Sequence, residues 1–177
     1  MLRPRGTAAS AALVGVLLVP AAGSAGQHGA LTPVSHLQAA LVQQVNSVRA
    51  RHGLSRLRVS GRLSEAANAH SVQMARLGYF SHDGANGVSY SRRIARYYPG
   101  PGYRSWSAGE NLLWSSPNVG AARAIAMWLA SPGHRAILLS SRWRELGLAA
   151  VHSTSAPGVY GGSPVTIVTA DFGSRSR

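Results

Sequence analysis

The sequence contains no cysteine and no lysine, and only five of its 177 residues are acidic. The absence of cysteine excludes disulfide bonds, thiolate zinc sites and thiol catalysis. All 18 basic residues are therefore arginines, and the net charge is +13 at pH 7. Because acids are so scarce, each acid inside a motif is a candidate for a specific role, and the five are Glu65, Asp83, Glu110, Glu145 and Asp171.

An excess of basic residues is a feature of nucleic-acid-binding proteins. Here the arginines are spread from Arg49 to Arg177 rather than grouped on one helix, and the lack of lysine is typical of codon bias. We expect the basic surface to bind anionic lipid or an anionic envelope polymer in a salt-dependent manner. Nucleic acid is the least favoured of these partners.

Residues 1–25 have the pattern of an export signal. Arg3 and Arg5 precede a short apolar run, and the small residues Gly23 and Ala25 fit a cleavage site after Ala25. The run is much shorter than the roughly 20 residues that a membrane-spanning helix needs. An uncleaved anchor is the alternative interpretation, and no later segment is long enough to cross a membrane. The sequence therefore predicts a secreted or cell-envelope-associated protein.

The rest of the chain has the length of one domain, predicted over residues 34–174, with a flexible leader at 26–33 and a tail at 175–177. Apolar residues recur at steps of three and four before Gly53 and again before Gly78, which indicates two amphipathic helices.

Shorter elements follow these two helices. Helices are predicted at 89–97 and 119–130, the second ended by Pro132-Gly133, and strands at 107–114, 146–152 and 165–172. Helices followed by an antiparallel pair of strands indicate an α+β fold.

Three short segments combine metal-binding or acid–base side chains with turn-forming residues, which leave room for a ligand beside the backbone. Each segment is a weak signal alone, because an isolated loop histidine is more often exposed and idle. The segments are Phe80-Ser81-His82, Gly109-Glu110-Asn111-Leu112 and Trp128 to Arg135, which includes Ser131-Pro132-Gly133-His134.

Taken in order, the segments resemble those of the CAP superfamily, which includes cysteine-rich secretory, antigen-5 and pathogenesis-related proteins and bacterial SCP-like proteins. The resemblance is to the bacterial branch and extends from about Leu41 to Gly173. It also includes Asn46-Ser47-Val48-Arg49, His52-Gly53-Leu54, Ala66-Ala67 with His70 and Met74, Leu146-Gly147-Leu148 and Asp171-Phe172-Gly173.

The resemblance implies an α/β/α sandwich, with a small, mostly antiparallel sheet between helical layers. It also implies that His82, Glu110 and His134 converge in an open ligand-binding cleft that Asn111 and Ser131 help to line. His82, Glu110 and His134 are then the candidate catalytic residues. They are also the candidate ligands of Zn²⁺ or another divalent cation, because two neutral imidazoles and a carboxylate suit such a metal.

One residue of the family's site is missing from this sequence. Relatives have a second glutamate shortly after the tryptophan, and Ser131 occupies about that position here. Residues 121–144 contain no acid at all. This departure weakens any mechanism that needs two carboxylates, and it lowers the negative charge available to a cation.

Several other residues have structural interpretations. We expect His70 to be a hydrogen-bonded core histidine, Trp128 and Phe172 to be core anchors, and Asn111 to fix a turn after Glu110. The aromatic residues between Tyr79 and Trp114 predict either a lipid-binding groove or padding of the third helix.

Three functions are compatible with these features. The favoured one is a non-enzymatic, monomeric binding module for a lipid or cell-envelope ligand. The first alternative is a peptidase-like hydrolase that uses a divalent metal to activate water, although neither a His-Glu-x-x-His nor a Gly-x-Ser-x-Gly motif is present. The second alternative is non-specific binding of polyanions or nucleic acid.

Overall fold

The structure is a computed structural model that describes residues 29–177. The predicted export signal and residues 26–28 of the predicted leader lie outside the described residues. The elements in chain order are β1 (Leu31–Pro33), α1 (Ser35–Arg51), β2 (Arg58–Val59), α2 (Gly61–Leu77), α3 (Tyr90–Ala95), β3 (Ser105–Ser115), α4 (Ala121–Ala130), α5 (Pro132–Leu138), β4 (Glu145–Ser153) and β5 (Val165–Ser176).

The two long helices form where the apolar periodicity is strongest. The inward face of α1 is buried along its whole length. Ser60 caps the start of α2, because its hydroxyl accepts a hydrogen bond from the N–H of Leu63. Gly78 ends α2 with a φ of 70°, a backbone conformation that favours glycine. Both helices are confirmed. The apolar periodicity does not extend to the end of α2, since its last residue, Leu77, is 58% exposed.

The sheet is mostly antiparallel, with the strand order β1-β4-β5-β3, and β2 pairs with β4 in parallel. The longest pairing joins β3 to β5 over eleven residue pairs, in which Glu110 lies opposite Asp171. Among the described strands, β3 is thus at one edge of the sheet. This edge position leaves the side of β3 away from β5 open to loops and helices.

Helices cover both faces of the sheet, which confirms the α/β/α sandwich. One face packs against α1 and α4, around core residues such as Leu41, Trp128 and Phe172. The other packs against α2 and α3, through two clusters that include Met74 and Ile94. Residues of β5 alternate between the two faces, as strand geometry requires.

Gly147 permits the close contact between α2 and the sheet. A Cβ atom at this position would lie 2.1 Å from the carbonyl carbon of Leu63 in the first turn of α2. Any larger residue would push the helix off β4. The Leu146-Gly147-Leu148 segment is therefore explained by packing.

Two boundaries differ from the sequence-based expectation. Residues 31–33 of the predicted flexible leader form β1, whose residues pair with Val151 to Ser153 of β4. The predicted tail at 175–177 continues β5 up to Ser176. The guanidinium of Arg175 holds this end, since it lies 3.7 Å from the ring centre of Tyr98 and 4.6 Å from that of Tyr103.

The Pro132-Gly133 pair begins a helix instead of only ending one. Pro132 is the first residue of α5, where its missing N–H costs no hydrogen bond and its fixed φ suits a helix. The predicted end of the preceding helix is confirmed, since α4 stops at Ala130 and Ser131 is extended, but the helix that follows was not predicted. His134 lies in the first turn of α5. Among residues 29–177, no helix is both long and apolar enough to cross a membrane.

Candidate functional site

A cleft of about 550 Å³ lies beside the exposed edge of β3, where the two helical layers meet. His82 reaches it from the loop between α2 and α3, His134 from α5 and Glu110 from the middle of β3. The two imidazole ring centres are 6.4 Å apart. The cleft is lined by His82, Asp83, Tyr90, Glu110, Asn111, Gly133, His134 and Ile137.

The loop that carries His82 is held by a hydrogen bond from the buried His70 of α2. This histidine is 1% exposed, and its Nε2–H donates to the carbonyl oxygen of Ser81 at 2.9 Å. Burial lowers the pKa of His70, and the positive charge of Arg93 lowers it further. The expected hydrogen-bonded core histidine is thus confirmed, and the residue it holds directly precedes His82.

His82 and Glu110 form a hydrogen-bonded pair. The Nδ1 of His82 donates to Oε1 of Glu110 at 2.8 Å, and the side chains are 49% and 1% exposed. The hydrogen bond to Glu110 raises the pKa of His82 above its ordinary value. The pKa of His134, in contrast, is lowered by burial and by the proximity of His82. The two imidazoles therefore differ in their tendency to carry a proton.

Glu110 belongs to a buried charge cluster that extends beneath the cleft. Its second oxygen, Oε2, accepts a hydrogen bond from Nη2 of Arg93, whose Nη1 lies 3.8 Å from Oδ2 of Asp171. Asp171 is 0% exposed. Burial and the neighbouring Glu110 raise the pKa of Asp171 well above its ordinary value. We refer to Arg93, Glu110 and Asp171 as the buried charge cluster.

The sequence did not identify Arg93 or Asp171 as functional residues. Asp171 was noted only as part of a family segment, and its proximity to Glu110 depends on the register between β3 and β5. Arg93 is one of three arginines on or beside α3, and the charge pattern alone does not distinguish it from Arg92 and Arg96. The scarcity of acids was the available signal for Asp171.

Asn111 has a different role from the expected one. The segment Gly109-Glu110-Asn111 lies inside β3 and contains no turn, and Gly109 is needed because a Cβ atom there would lie 2.7 Å from the ring of Trp143. The Nδ2 of Asn111 donates to the carbonyl oxygen of His134 at 3.0 Å. Asn111 thus joins β3 to α5 and fixes the position of His134.

Ser131 lies between α4 and α5, just before Pro132, and is not among the residues that line the cleft. Its hydroxyl makes no side-chain cap to α5. Ser131 therefore does not provide, in this structure, what the missing glutamate would provide.

His82, Glu110 and His134, the predicted ligands of Zn²⁺, are not arranged as a complete metal site. Within residues 29–177 there is no group of three or more His, Cys, Asp or Glu side chains arranged to hold a metal ion. Both oxygens of Glu110 are engaged, one by His82 and the other by Arg93. The carboxylate thus orients His82, as carboxylates behind metal-binding histidines also do. Of the three predicted Zn²⁺ ligands, the two histidines have ring nitrogens left to face the cleft, and metal binding stays a prediction.

The aromatic residues between Tyr79 and Trp114 lie in separate surroundings. Tyr90 lines the cleft, Tyr98 is fully buried, and the ring of Trp114 packs edge-on against that of Tyr160 at 5.3 Å. Phe80 is exposed, and Tyr97 and Tyr103 are partly buried. The aromatic residues therefore do not form one continuous groove, and Tyr90 is the one that lines the cleft. Trp128 and Phe172 are fully buried, as expected, and Nε1 of Trp128 donates to the carbonyl oxygen of Leu112.

Comparison with known proteins agrees with this architecture. The profile of the CAP family, described as the cysteine-rich secretory protein family, matches residues 42–172. Among solved structures, an outer surface protein of Borrelia burgdorferi has a TM-score of 0.70 at 18% identity, covering 84% of this chain and 99% of that one. An extracellular protein of Bacillus anthracis that contains an SCP domain has a TM-score of 0.61 at 26% identity, covering 81% of this chain and 41% of that one.

Two curated proteins of Bacillus subtilis are also similar. The uncharacterized membrane protein YlbC is 32% identical over 109 residues, which is 61% of this chain and 30% of that protein. The uncharacterized protein YkwD is 28% identical over 122 residues, which is 69% of this chain and 45% of that protein. The chain thus spans less than half the length of these relatives. The family profile covers most of the chain, and together with the fold it shows that this cysteine-free protein is a bacterial member of the CAP superfamily.

Proposed function

We propose that this protein is an exported binding module whose cleft takes the anionic group of a lipid or another cell-envelope ligand. The observation that carries the proposal is the pair of imidazoles across the cleft, one of which is held by Glu110. Because the Nδ1 of His82 is bonded to a carboxylate, its protonated form is favoured and its Nε2–H can donate to an anion. The predicted signal at residues 1–25 supports export.

The walls of the cleft support a ligand that also has an apolar part. Tyr90 and Ile137 line it beside the two histidines, and both are partly exposed. Sites for small molecules typically combine apolar walls with a few polar groups that fix the ligand's orientation. Asp83 is the one exposed acid in the lining of the cleft. Its negative charge would repel a bound anion, so its replacement provides an internal control for the binding of an anion.

The surface of the described domain favours an anionic partner. Most arginines are exposed, whereas Glu65 and Asp83 are the exposed members among the five acids, all of which lie within the described residues. Such a surface attracts anionic membranes or polymers over a distance set by the salt concentration. This attraction acts over the whole surface. The cleft would add to the binding affinity a specific contribution that depends on the protonation of His82.

We expect binding to vesicles that contain phosphatidylglycerol to weaken as the pH rises through the pKa of His82. The pKa of His82 is raised, so the imidazole is protonated at pH 5.5 and loses its positive charge at higher pH. At constant ionic strength, loss of one charge worth about 1 kcal/mol weakens binding about five-fold. Co-sedimentation with the vesicles at pH 5.5 and pH 8 measures this change, and phosphatidylcholine vesicles show the binding that needs no anion.

The His82→Gln variant should remove the pH dependence, because glutamine keeps a polar side chain but does not titrate in this range. Asp83→Asn should strengthen binding at both pH values and keep the pH dependence. If wild type and His82→Gln lose binding in parallel as the pH rises, the cleft is not the site of the anion. Equal binding to both kinds of vesicle would exclude an anionic lipid as the ligand.

A specific observation favours a second candidate function, metal-independent acid–base hydrolysis. His82 and His134 face each other across the cleft, and their pKa values are shifted in opposite directions. Two neighbouring titratable groups whose pKa values are shifted apart are characteristic of a general acid and a general base. His134 would take a proton from the attacking water, and His82 would give a proton to the leaving oxygen of an ester.

We expect this second function, if present, to appear as hydrolysis of a p-nitrophenyl ester or of bis(p-nitrophenyl) phosphate. The His82→Ala and His134→Ala variants should each lose about 10²–10⁴-fold in rate, and a chelator should have no effect. Loss of activity with a chelator would instead favour the metal-dependent alternative. Equal rates in wild type and both variants would rule out catalysis by the two histidines.

A further inference from the structure

A second cavity, of about 130 Å³, lies between α2, α3 and the loop that joins these helices. It shares no lining residue with the cleft described above. The residues that give it its chemical character come from all three elements. They are Ala69, His70 and Gln73 of α2, Asn86 of the loop, and Arg93 and Arg96 on and directly after α3.

Two buried side chains form the floor of this cavity, namely His70, which is 1% exposed, and Arg93, which is 8% exposed. The Nε2–H of His70 donates to the carbonyl oxygen of Ser81, so Nδ1 of the neutral ring is left as an acceptor. The Nη atoms of Arg93 donate to Ala66 and Glu110, which leaves its Nε–H as a donor. Neither Nδ1 of His70 nor Nε of Arg93 has a hydrogen-bond partner among residues 29–177. Buried polar atoms are normally paired, so these two indicate an occupant of the cavity.

The mouth of the cavity adds further donors and a positive charge. Arg96 is exposed there and forms no ion pair with any described residue. The amide oxygen of Gln73 accepts from the hydroxyl of Tyr79, and that of Asn86 accepts from the N–H of Val88. Both amides therefore keep their NH₂ groups as donors. Since no acid is among the residues that line the cavity, the occupant best suited to it is an anion.

We propose that this cavity is a binding site for a small oxyanion that carries its own hydroxyl group, as hydrogenphosphate does. The charged oxygens accept hydrogen bonds from Arg93, Arg96 and the two amides, and the hydroxyl donates to Nδ1 of His70. The ion fits, because 130 Å³ is room for about four waters of about 30 Å³ each, and phosphate has four oxygens. The inference goes beyond the proposed function, since the site shares no lining residue with the cleft.

Isothermal titration calorimetry of the full chain with phosphate, sulfate and methyl phosphate, at pH 8 and constant ionic strength, tests the proposal. Sulfate has the size of phosphate, but neither it nor methyl phosphate carries a hydroxyl group at this pH. We expect phosphate to bind about ten-fold more tightly than either, because the other two leave the buried acceptor of His70 without a donor. Equal affinities for the three ions would overturn the proposal. So would a lack of phosphate binding, because the cavity would then hold water only.

Replacement of Arg96 tests whether phosphate binds in this cavity. Arg96→Gln should weaken phosphate binding about five-fold, because it removes the unpaired charge at the mouth. Arg92→Gln is the matched control, since Arg92 is an exposed arginine of α3 that does not line the cavity. It removes the same charge from the protein and should leave the affinity within about two-fold of wild type. Equal weakening by the two variants would overturn the proposal, because the attraction would then belong to the whole surface.

Filling the cavity gives a second test. Ala69 is partly exposed on α2, and leucine is well tolerated in a helix, so Ala69→Leu should fold and should abolish phosphate binding. Ala50→Leu makes the same change at an exposed position of α1 and should bind as wild type does. Undiminished binding by folded Ala69→Leu would overturn the proposal. If Ala69→Leu does not fold, the two arginine variants decide. Neither test uses vesicles, so both are independent of the proposed function.

Discussion

Replacement of Arg93 by methionine is expected to lower the free energy of unfolding by about 3–5 kcal/mol at pH 7. Arg93 is 8% exposed, and its guanidinium is the cation that contacts both Glu110 and Asp171. Methionine fills similar space but leaves Glu110 as a buried anion whose remaining partner is the half-exposed His82. Removal of one partner of a buried ion pair costs more than the pair itself contributes, because the other charge stays buried.

Urea unfolding followed by tryptophan fluorescence measures this loss, and Arg92→Met is the matched control. Arg92 precedes Arg93 on α3 and is exposed, so its replacement should change the free energy of unfolding by no more than about 0.5 kcal/mol. A loss below about 1 kcal/mol for Arg93→Met, against the 3–5 kcal/mol expected for a broken buried ion pair, would show that Glu110 does not carry a buried charge.

The long helices were predictable because local and global preferences agree in them. In α1, apolar residues at helical spacing are buried and Gly53 adopts a φ of 69° after the helix ends. In α2, the cap at Ser60 and the stop at Gly78 are both local signals. The periodicity of a helix can be read from one continuous segment of the sequence. Its apolar face can be recognised without knowing which part of the protein packs against it.

The structure of the Gly109-Glu110-Asn111 segment was not predictable from local signals. Glycine and asparagine favour turns when considered alone, yet here they lie within β3. The strand is stabilised by its pairing with β5, more than fifty residues later in the chain. Gly109 is explained by the ring of Trp143, which occupies the space of its missing side chain.

The candidate site was predictable only as far as the family resemblance extends. His82, Glu110 and His134 were expected to meet, and the structure places their side chains around one cleft. The position of Asp171 beside Glu110 depends on the register of the strands. That of Arg93 depends on which side of a short helix faces inward. A single sequence contains neither piece of information, because both are set by packing between elements that are distant in the chain.

The charge cluster also changes how the missing family glutamate is interpreted. Its absence from residues 121–144 suggested a site with one carboxylate. In the structure Asp83 and Glu110 line the cleft, and a further acid, Asp171, is buried beneath it and does not line it. Such an acid does not bind a ligand or a cation directly. Any effect that it has on the cleft must pass through Glu110, which lies opposite it on the neighbouring strand.

Replacement of Arg49 by methionine is the second substitution for which we expect a large effect, about 3 kcal/mol or more at pH 7. Arg49 lies near the end of α1 and is 1% exposed. Its guanidinium donates to the carbonyl oxygens of Leu138 and Ser140 at 2.9 Å and to that of Ser55 at 3.1 Å. Methionine would leave these three carbonyl groups, of which that of Leu138 is buried, without their donors.

Arg51→Met is the matched control for this substitution, since Arg51 is exposed on the same helix and donates only to the hydroxyl of Ser47. Its replacement should cost no more than about 0.5 kcal/mol. Leu138 is the last residue of α5, so its carbonyl has no partner within the helix, and Arg49 caps the helix that carries His134. Amide hydrogen exchange at Leu139 and Ser140 should therefore accelerate in Arg49→Met and not in Arg51→Met. Equal exchange in the two variants would show that Arg49 does not hold the end of α5, and that its other contacts, such as the hydrogen bond from Asn111 to His134, are sufficient.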